Sequence, residues 1–370
     1  MAPPLKVLFA GGGTGGHLYP AIALADALGA RADVAFAGTA DRLESEIVPA
    51  AGYPLHVVSS RPLSRKLSPE LLRTFGANLR GTRQSMRVIA AFRPDVVIAT
   101  GGYVCFPVVL AARILRATGK FRGKIALLEP NAKPGLTNRL LAPLVDEVWG
   151  ALPEADGRFA GKYVRTGVPV RAGLLSLPDR DAATRRLGLS PELRTLLAIG
   201  GSQGARTIND ALVAVVRQGR LPQGWQLALV TGRGDYDRVR DALAAAPLVA
   251  VFPYLSDLSD AYASADLVLA RAGASTLGEL AALGLPAVLI PYPFAAENHQ
   301  AANAEMVRGR GAAVTVSDAE VAAGSLPAVL AEATAPQRLD ALRRAASGTR
   351  AADPVAAVLA RIEDLAARKS

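Results

Sequence analysis

Leu5-Lys6-Val7-Leu8-Phe9-Ala10-Gly11-Gly12-Gly13-Thr14-Gly15-Gly16-His17 reads as a strand, a glycine-rich turn and the start of a helix. The near-continuous apolar run Leu5–Ala10 suits a strand covered on both faces of a parallel sheet. Five glycines in the six positions 11–16 exceed what a tight turn requires. Pro20 suits a first helical turn and Gly29 a helix stop, so a helix is expected between them.

The same order returns at 195–218, where Thr195–Gly200 leads into Gly200-Gly201-Ser202-Gln203-Gly204-Ala205-Arg206. Between and beyond these openings, short apolar runs alternate with longer amphipathic segments. Strands are expected at 5–10, 33–38, 54–59, 95–101, 124–129, 147–150 and 163–167. In the second half they are expected at 195–200, 225–232, 248–253, 265–271, 286–291 and 312–317. The spacing predicts two doubly wound α/β units in tandem, with ligands at the carboxyl ends of the strands. The punctuated stretch Gly167–Gly173 marks the linker.

Gly11-x-Gly13-x-x-Gly16 formally matches a dinucleotide fingerprint, which also needs an acid at the end of the second strand. That strand ends Ala37-Gly38-Thr39, with Asp33 at its start, so the nicotinamide reading weakens. What survives is a set of backbone N–H groups facing an anion or a strong hydrogen-bonding group. His17 follows the loop directly. The positive end of a helix dipole disfavours imidazolium, and a neutral imidazole can act as a general base. A histidine that merely caps the turn is the equally weighted alternative.

Further on, Arg271-Ala272-Gly273-Ala274-Ser275-Thr276-Leu277-Gly278-Glu279 is a strand end, a turn and a helix start. Thr276-x-x-Glu279 has the form of a capping box; the functional alternative has Glu279 accepting hydrogen bonds from ribose hydroxyls. Glu297-Asn298-His299-Gln300 opens another helix with polar residues. Asp179-x-Asp181 and Asp235-x-Asp237 lie near helix starts and read as caps rather than metal ligands. Neither a metal nor another cofactor is required by the sequence.

Composition narrows the class. The 370 residues, 51% of them apolar, suffice for two ordinary cores. Cys105 is the sole cysteine, which suits a reducing compartment, and neither a signal peptide nor a spanning segment is recognisable. Of the net charge of +10, residues 1–170 hold nearly all: 21 Lys/Arg against 12 Asp/Glu, with 21 against 20 in the remainder. Nucleic acid is disfavoured as a partner, since only 5% of residues are aromatic and no recognised motif appears. Anionic lipid or a phosphorylated substrate fits better. Residues 61–93 carry Arg61, Arg65, Lys66, Arg73, Arg80, Arg83, Arg87 and Arg93 against Glu70 alone. On a helical projection Leu71, Leu72, Phe75, Leu79, Met86 and Ile89 share one face, flanked by arginines. That pattern suits either a core-facing helix with a basic side or a membrane-docking one.

Gly11–His17, Gly101-Gly102-Tyr103, Gly135-Leu136-Thr137-Asn138, Gly200–Ala205 and Arg271 through Asn303 together resemble the MurG family, which makes lipid II in bacterial peptidoglycan synthesis. Pro130 beside Asn131 and Val168 before Pro169 depart from the family pattern. The resemblance implies a GT-B fold, two Rossmann-like domains whose parallel sheets face a central cleft. The first would take 1–163 plus the C-terminal helix 351–370, and the second 164–350. It implies inverting transfer of N-acetylglucosamine from UDP-GlcNAc to lipid I, with His17 as catalytic base. Donor contacts would come from Thr14, Gly15, Gly16, His17, Asn131, Arg171, Ser202, Leu255, Ser275, Thr276, Glu279, His299 and Gln300. Gly13, Gly101, Gly102 and Tyr103 would lie on the acceptor side. The enzyme would sit peripherally on the cytoplasmic face of the inner membrane, through 61–93. Another GT-B glycolipid transferase, or a UDP-GlcNAc epimerase of similar fold, is the alternative.

Overall fold

The computed structural model describes residues 4–13, 15–62, 69–151, 159, 161–201, 203–349 and 353–368, with backbone alone at 69–71 and 172. The chain divides into two compact domains, 1–171 with 352–370, and 172–351.

In the first domain the chain runs β1 (Leu5–Gly11), α1 (Gly15–Leu28), β2 (Ala32–Gly38), α2 (Glu44–Ala50), β3 (Leu55–Val57) and α3 (Pro69–Phe92). It continues through β4 (Val96–Gly101), α4 (Cys105–Ala117), β5 (Lys124–Glu129), α5 (Leu136–Leu141), β6 (Glu147–Gly150) and β7 (Tyr163–Arg165). The strands form one parallel sheet in the order β3-β2-β1-β4-β5-β6-β7. Its central strands are buried on both faces, as their unbroken apolar runs require. Order reverses at β1/β4, so the switch point of the sheet lies between the loops after those two strands. A division at 163/164 would cut into β7, which pairs with β6 through Val148 and Tyr163. Helix α1 starts at Gly15, so Pro20 sits in its second turn rather than its first.

The second domain runs α6 (Arg180–Arg186), β8 (Arg194–Ile199), α7 (Arg206–Arg217), β9 (Trp225–Val230), α8 (Tyr236–Leu243), β10 (Val249–Phe252), α9 (Ser259–Ser264) and β11 (Ala265–Ala270). After these come α10 (Ala274–Leu283), β12 (Ala287–Leu289), α11 (His299–Gly309), β13 (Ala313–Thr315), α12 (Asp318–Ala322), α13 (Leu326–Thr334) and α14 (Pro336–Gly348). Six parallel strands lie in the order β10-β9-β8-β11-β12-β13, with the switch point at β8/β11.

The last helix, α15 (Pro354–Ala367), returns to the first domain and packs on α1. Its Val355, Val358, Ile362 and Leu365 recur at helical spacing and are buried among Phe9, Leu24 and Trp149. Burying four such side chains stabilises the docked helix by about 6–10 kcal/mol. Asp353 caps the start by accepting from the Val355 N–H at 2.9 Å. Arg361 pairs with the buried Glu147, which also accepts from Trp149 Nε1 at 2.8 Å.

Helix α3 departs from its sequence pattern. Ile89 is buried and Met86 packs partly against the core, but Leu72, Phe75 and Leu79 are 77%, 69% and 44% exposed. The buried face of the first turns is instead Thr74, Asn78, Gly81, Thr82 and Ser85. Small residues win there because the backbone comes very close: a Cβ at Gly81 would fall 1.9 Å from the Ser59 carbonyl oxygen. Asn78 fixes the approach, with Oδ1 accepting from Ser60 Oγ at 3.0 Å and Nδ2 donating to the Arg61 carbonyl. Arg73, Arg80, Arg83 and Arg87 flank the exposed stripe. Arg65, Lys66 and the side chains of Glu70 and Leu71 lie outside the described residues.

Candidate active site

In the first domain, the loops after β1 and β4 interlock. Gly101 and Gly102 both take left-handed φ, of 115° and 86°. A Cβ at Gly102 would fall 2.4 Å from the Gly12 carbonyl oxygen, and one at Gly101 would fall 2.3 Å from His17 Nδ1. Glycine is therefore what lets the imidazole lie flat against the β4 loop. His17 Nδ1 is 3.1 Å from the Thr100 carbonyl oxygen. A carbonyl can only accept, so Nδ1 carries the hydrogen and the lone pair is at Nε2. The ring is thereby both oriented and held in the tautomer a general base needs. Cys105 joins the same loops, its one S–H shared between the Ala10 and Gly101 carbonyl oxygens at 3.2 and 3.1 Å from Sγ. Burial pushes its thiol up to about 12, so it stays a neutral donor. The Tyr103 ring passes 3.5 Å from where a Gly13 Cβ would stand.

One strand further along the sheet, Glu129 at the end of β5 organises residues 131–138. It accepts from the Asn131 backbone and side chain at 3.0 and 3.1 Å, from Gly135 N–H and from Asn138 Nδ2. Burial pushes its carboxyl above the usual carboxylate range, against four donors that favour the charge. Arg171 lies over the Tyr19 ring, 5.3 Å from its centroid.

In the second domain the loops after β8, β10, β11 and β12 supply the candidate groups. Gly204, with φ 74°, abuts the Thr231 carbonyl so closely that a Cβ would sit 2.0 Å from it. Helices α7 and α10 start at Ala205 and Gly273 without a side-chain cap. By contrast α6, α12 and α15 are capped by Asp179, Ser317 and Asp353. The first turns of α7 and α10 thus present N–H groups beyond the ends of β8 and β11, the arrangement that suits a phosphate. Ser275 and Thr276 sit in that first turn of α10. Glu279 lies a turn deeper and accepts from the buried Tyr262 hydroxyl at 2.6 Å. The capping-box expectation for Thr276 and Glu279 is overturned, because the helix has already begun at Ala274.

Arg271, partly buried, forms an ion pair with Asp318 at 2.5 Å and donates to the Ile290 carbonyl, tying the ends of β11 and β12 to α12. Between β12 and α11, Glu297 and Asn298 both take left-handed φ, of 54° and 55°. Two consecutive non-glycine residues in that region store about 2–6 kcal/mol. The strained turn delivers His299, whose Nδ1 is 2.7 Å from the Ala296 carbonyl, and Gln300, whose Oε1 accepts from Tyr292 N–H. Leu255 follows β10 and packs at the edge of the core.

Residues 7–149 match the glycosyltransferase family 28 N-terminal domain and residues 195–358 its C-terminal domain. A UDP-N-acetylglucosamine--N-acetylmuramyl-(pentapeptide) pyrophosphoryl-undecaprenol N-acetylglucosamine transferase from Desulforudis audaxviator is 42% identical, over 98% of this chain and 99% of its own. The protein of that name from Moorella thermoacetica is 44% identical over 89% and 90%. The chain belongs to the MurG family of glycosyltransferases. The crystal structure of Acinetobacter baumannii MurG superposes with a TM-score of 0.76 at 27% identity, covering 98% of this chain and all of that one. A putative UDP-N-acetylglucosamine 2-epimerase from Listeria monocytogenes, at 13% identity and TM-score 0.63, shares the fold alone.

Set beside the MurG-family pattern, the first domain gathers Gly13, Gly15, Gly16, His17, Gly101, Gly102 and Tyr103 around its switch point, with Asn131 one strand away. Leu255, Ser275, Thr276, Glu279, His299 and Gln300 gather along the carboxyl edge of the second sheet. Thr14 and Ser202 lie outside the described residues. Of the two acidic triplets, Asp179 accepts from the Ala182 N–H as a cap, whereas Asp235 pairs with Arg238 instead. Among the described residues no group of three His, Cys, Asp or Glu side chains could hold a metal ion.

One residue that organises the site has no motif. Glu44, fully buried at the start of α2, accepts from Gly13 N–H at 3.0 Å, from Thr39 N–H at 3.0 Å and from Thr39 Oγ1 at 2.7 Å. A Cβ at Gly12 would strike its carboxylate. The Gly13 N–H expected to face an external anion therefore faces this internal one. The nearest sequence signal is the lack of an acid directly at the β2 end; Glu44, six residues beyond Gly38, turns onto the loop.

Proposed function

We propose that this chain transfers N-acetylglucosamine from UDP-N-acetylglucosamine to the muramyl hydroxyl of a polyprenyl-diphosphate-linked acceptor, giving lipid II. The observation that carries the mechanism is the Nδ1–Thr100 hydrogen bond, which leaves His17 Nε2 as the basic nitrogen. Nε2 takes the acceptor's hydroxyl proton while that oxygen bonds to the anomeric carbon and the bond to UDP breaks on the opposite side, inverting the centre. The leaving diphosphate gains charge as it departs, and the uncapped starts of α7 and α10, with Ser202, Ser275, Thr276 and Arg171, are the groups suited to meet it. Glu279, already fixed by Tyr262, is suited to accept from the ribose hydroxyls. Leu255 backbone groups suit uracil, and His299, Gln300 and Asn131 suit the sugar. Charge on the diphosphate is met by protein dipoles and Arg171, so the mechanism calls for no cofactor. UDP release from UDP-N-acetylglucosamine only when a short-chain lipid I analogue is added is the expected result. Isomerisation of the nucleotide sugar without acceptor would overturn the reading in favour of an epimerase.

The acceptor's lipid requires the first domain to reach a bilayer. No helix among the described residues is long and apolar enough to cross a membrane, and the exposed stripe Leu72, Phe75 and Leu79 with Arg73, Arg83 and Arg87 beside it supports docking from the cytoplasmic face. Each cation near an anionic leaflet contributes about 1 kcal/mol. Reversing Arg73, Arg83 and Arg87 together to glutamate is expected to abolish co-sedimentation with anionic vesicles, and salt is expected to weaken the wild type. Binding that neither change affects would rule this surface out.

A further inference from the structure

A groove of about 470 Å³ opens at the carboxyl ends of β2 and β3, against α3. Thr39, Asp41, Ser59, Ser60, Arg61 and Arg80 are its polar lining, and the missing side chain of Gly76 leaves it open. Among the described residues neither guanidinium has an acidic partner, and the two outnumber the single carboxylate of Asp41. The groove adjoins the loops around His17 through two contacts. Thr39 hydrogen bonds Glu44, which holds Gly13, and Ser60 Oγ lies 3.0 Å from the Tyr103 carbonyl oxygen as well as from Asn78 Oδ1, the two acceptors sharing its one hydrogen. On its other side Gly76 and Arg80 neighbour Phe75 and Leu79 of the exposed apolar stripe.

This order has chemical meaning. A polyprenyl-diphosphate sugar presents, in sequence, an apolar chain, a diphosphate and the sugar bearing the reactive hydroxyl. The first domain presents, in the same sequence, the apolar stripe, the cationic groove and His17. The glycine loop beside His17 is a poor alternative for the diphosphate, since the Gly13 N–H is already taken by the buried Glu44 carboxyl group. We propose that the groove is the subsite for the acceptor's diphosphate, bound by Arg61 and Arg80 with the hydroxyl of Ser59. This rests on the transferase reading above.

Both arginines are exposed, so Arg61→Ala and Arg80→Ala leave the fold intact. With a water-soluble short-chain acceptor and no vesicles, each is expected to raise the acceptor KM about tenfold, the loss of one charge-assisted contact. KM for UDP-N-acetylglucosamine stays as in the wild type. Arg122→Ala, an exposed arginine ahead of β5, is expected to change neither. Farnesyl diphosphate is expected to compete with the acceptor and to bind either groove variant more weakly by calorimetry. An unchanged acceptor KM, or a loss confined to vesicle binding, overturns the proposal. Should the wild type transfer nothing, the calorimetry alone still decides: weaker farnesyl diphosphate binding in the variants supports the subsite, equal binding removes it.

Discussion

His17→Ala is expected to lower kcat by about 10²–10⁴, the usual contribution of a positioned general base. KM for UDP-N-acetylglucosamine should change far less than kcat, because the candidates for the uracil and ribose, Leu255 and Glu279, belong to the second domain. The size of the effect follows from how completely the ring is prepared. Gly101 gives it room, the Thr100 carbonyl fixes its tautomer, and the start of α1 holds its backbone. Steady-state turnover with a soluble acceptor measures it. Full turnover in the variant would remove His17 as the base.

Glu44→Ala is expected to damage stability and activity together. It strips three donors of their acceptor in a site closed to water, at a cost of about 3–5 kcal/mol. In a domain of this size that lowers its thermal transition by about 6–20 °C. Because one of the three donors is Gly13 N–H, the loop before His17 loosens as well, and kcat/KM should fall even at temperatures where the variant is folded. Glu44→Gln should lie between the two. An amide oxygen can serve two donors, but its NH₂ must then face the third. Thermal melts of both variants, read with turnover at low temperature, test this; a Glu44→Ala protein melting like the wild type would show that the buried network contributes nothing.

The strands were legible because each is a nearly unbroken apolar run, and such runs have few other ways to be buried. All thirteen expected strands are present. Three features escaped. Apolar periodicity assigned Leu72, Phe75 and Leu79 to the same face as Ile89, yet the close approach of Gly81 to Ser59 puts small polar residues inward and turns those three to the surface. Thr276 and Glu279 have capping-box spacing, but spacing does not reveal where a helix starts. Glu44 is one of two acids in the first turn of an ordinary helix, and only the fold shows that it, rather than Glu46, points at the glycine loop. The glycines and His17 were readable because backbone constraints leave marks on sequence; a buried carboxylate that serves them leaves none.

The return of α15 to the first domain also bears on how the protein is made. Val355, Val358, Ile362 and Leu365 complete a core whose other members lie within the first 149 residues. On the ribosome that core must wait, its apolar surface uncovered, until the second domain and then α15 have been synthesised. The second domain, continuous in sequence from 172 to 351, has no such delay. The domain that starts first is therefore the one that finishes last, and a nascent chain stalled before residue 354 presents a sheet with part of one apolar face uncovered to chaperones and proteases.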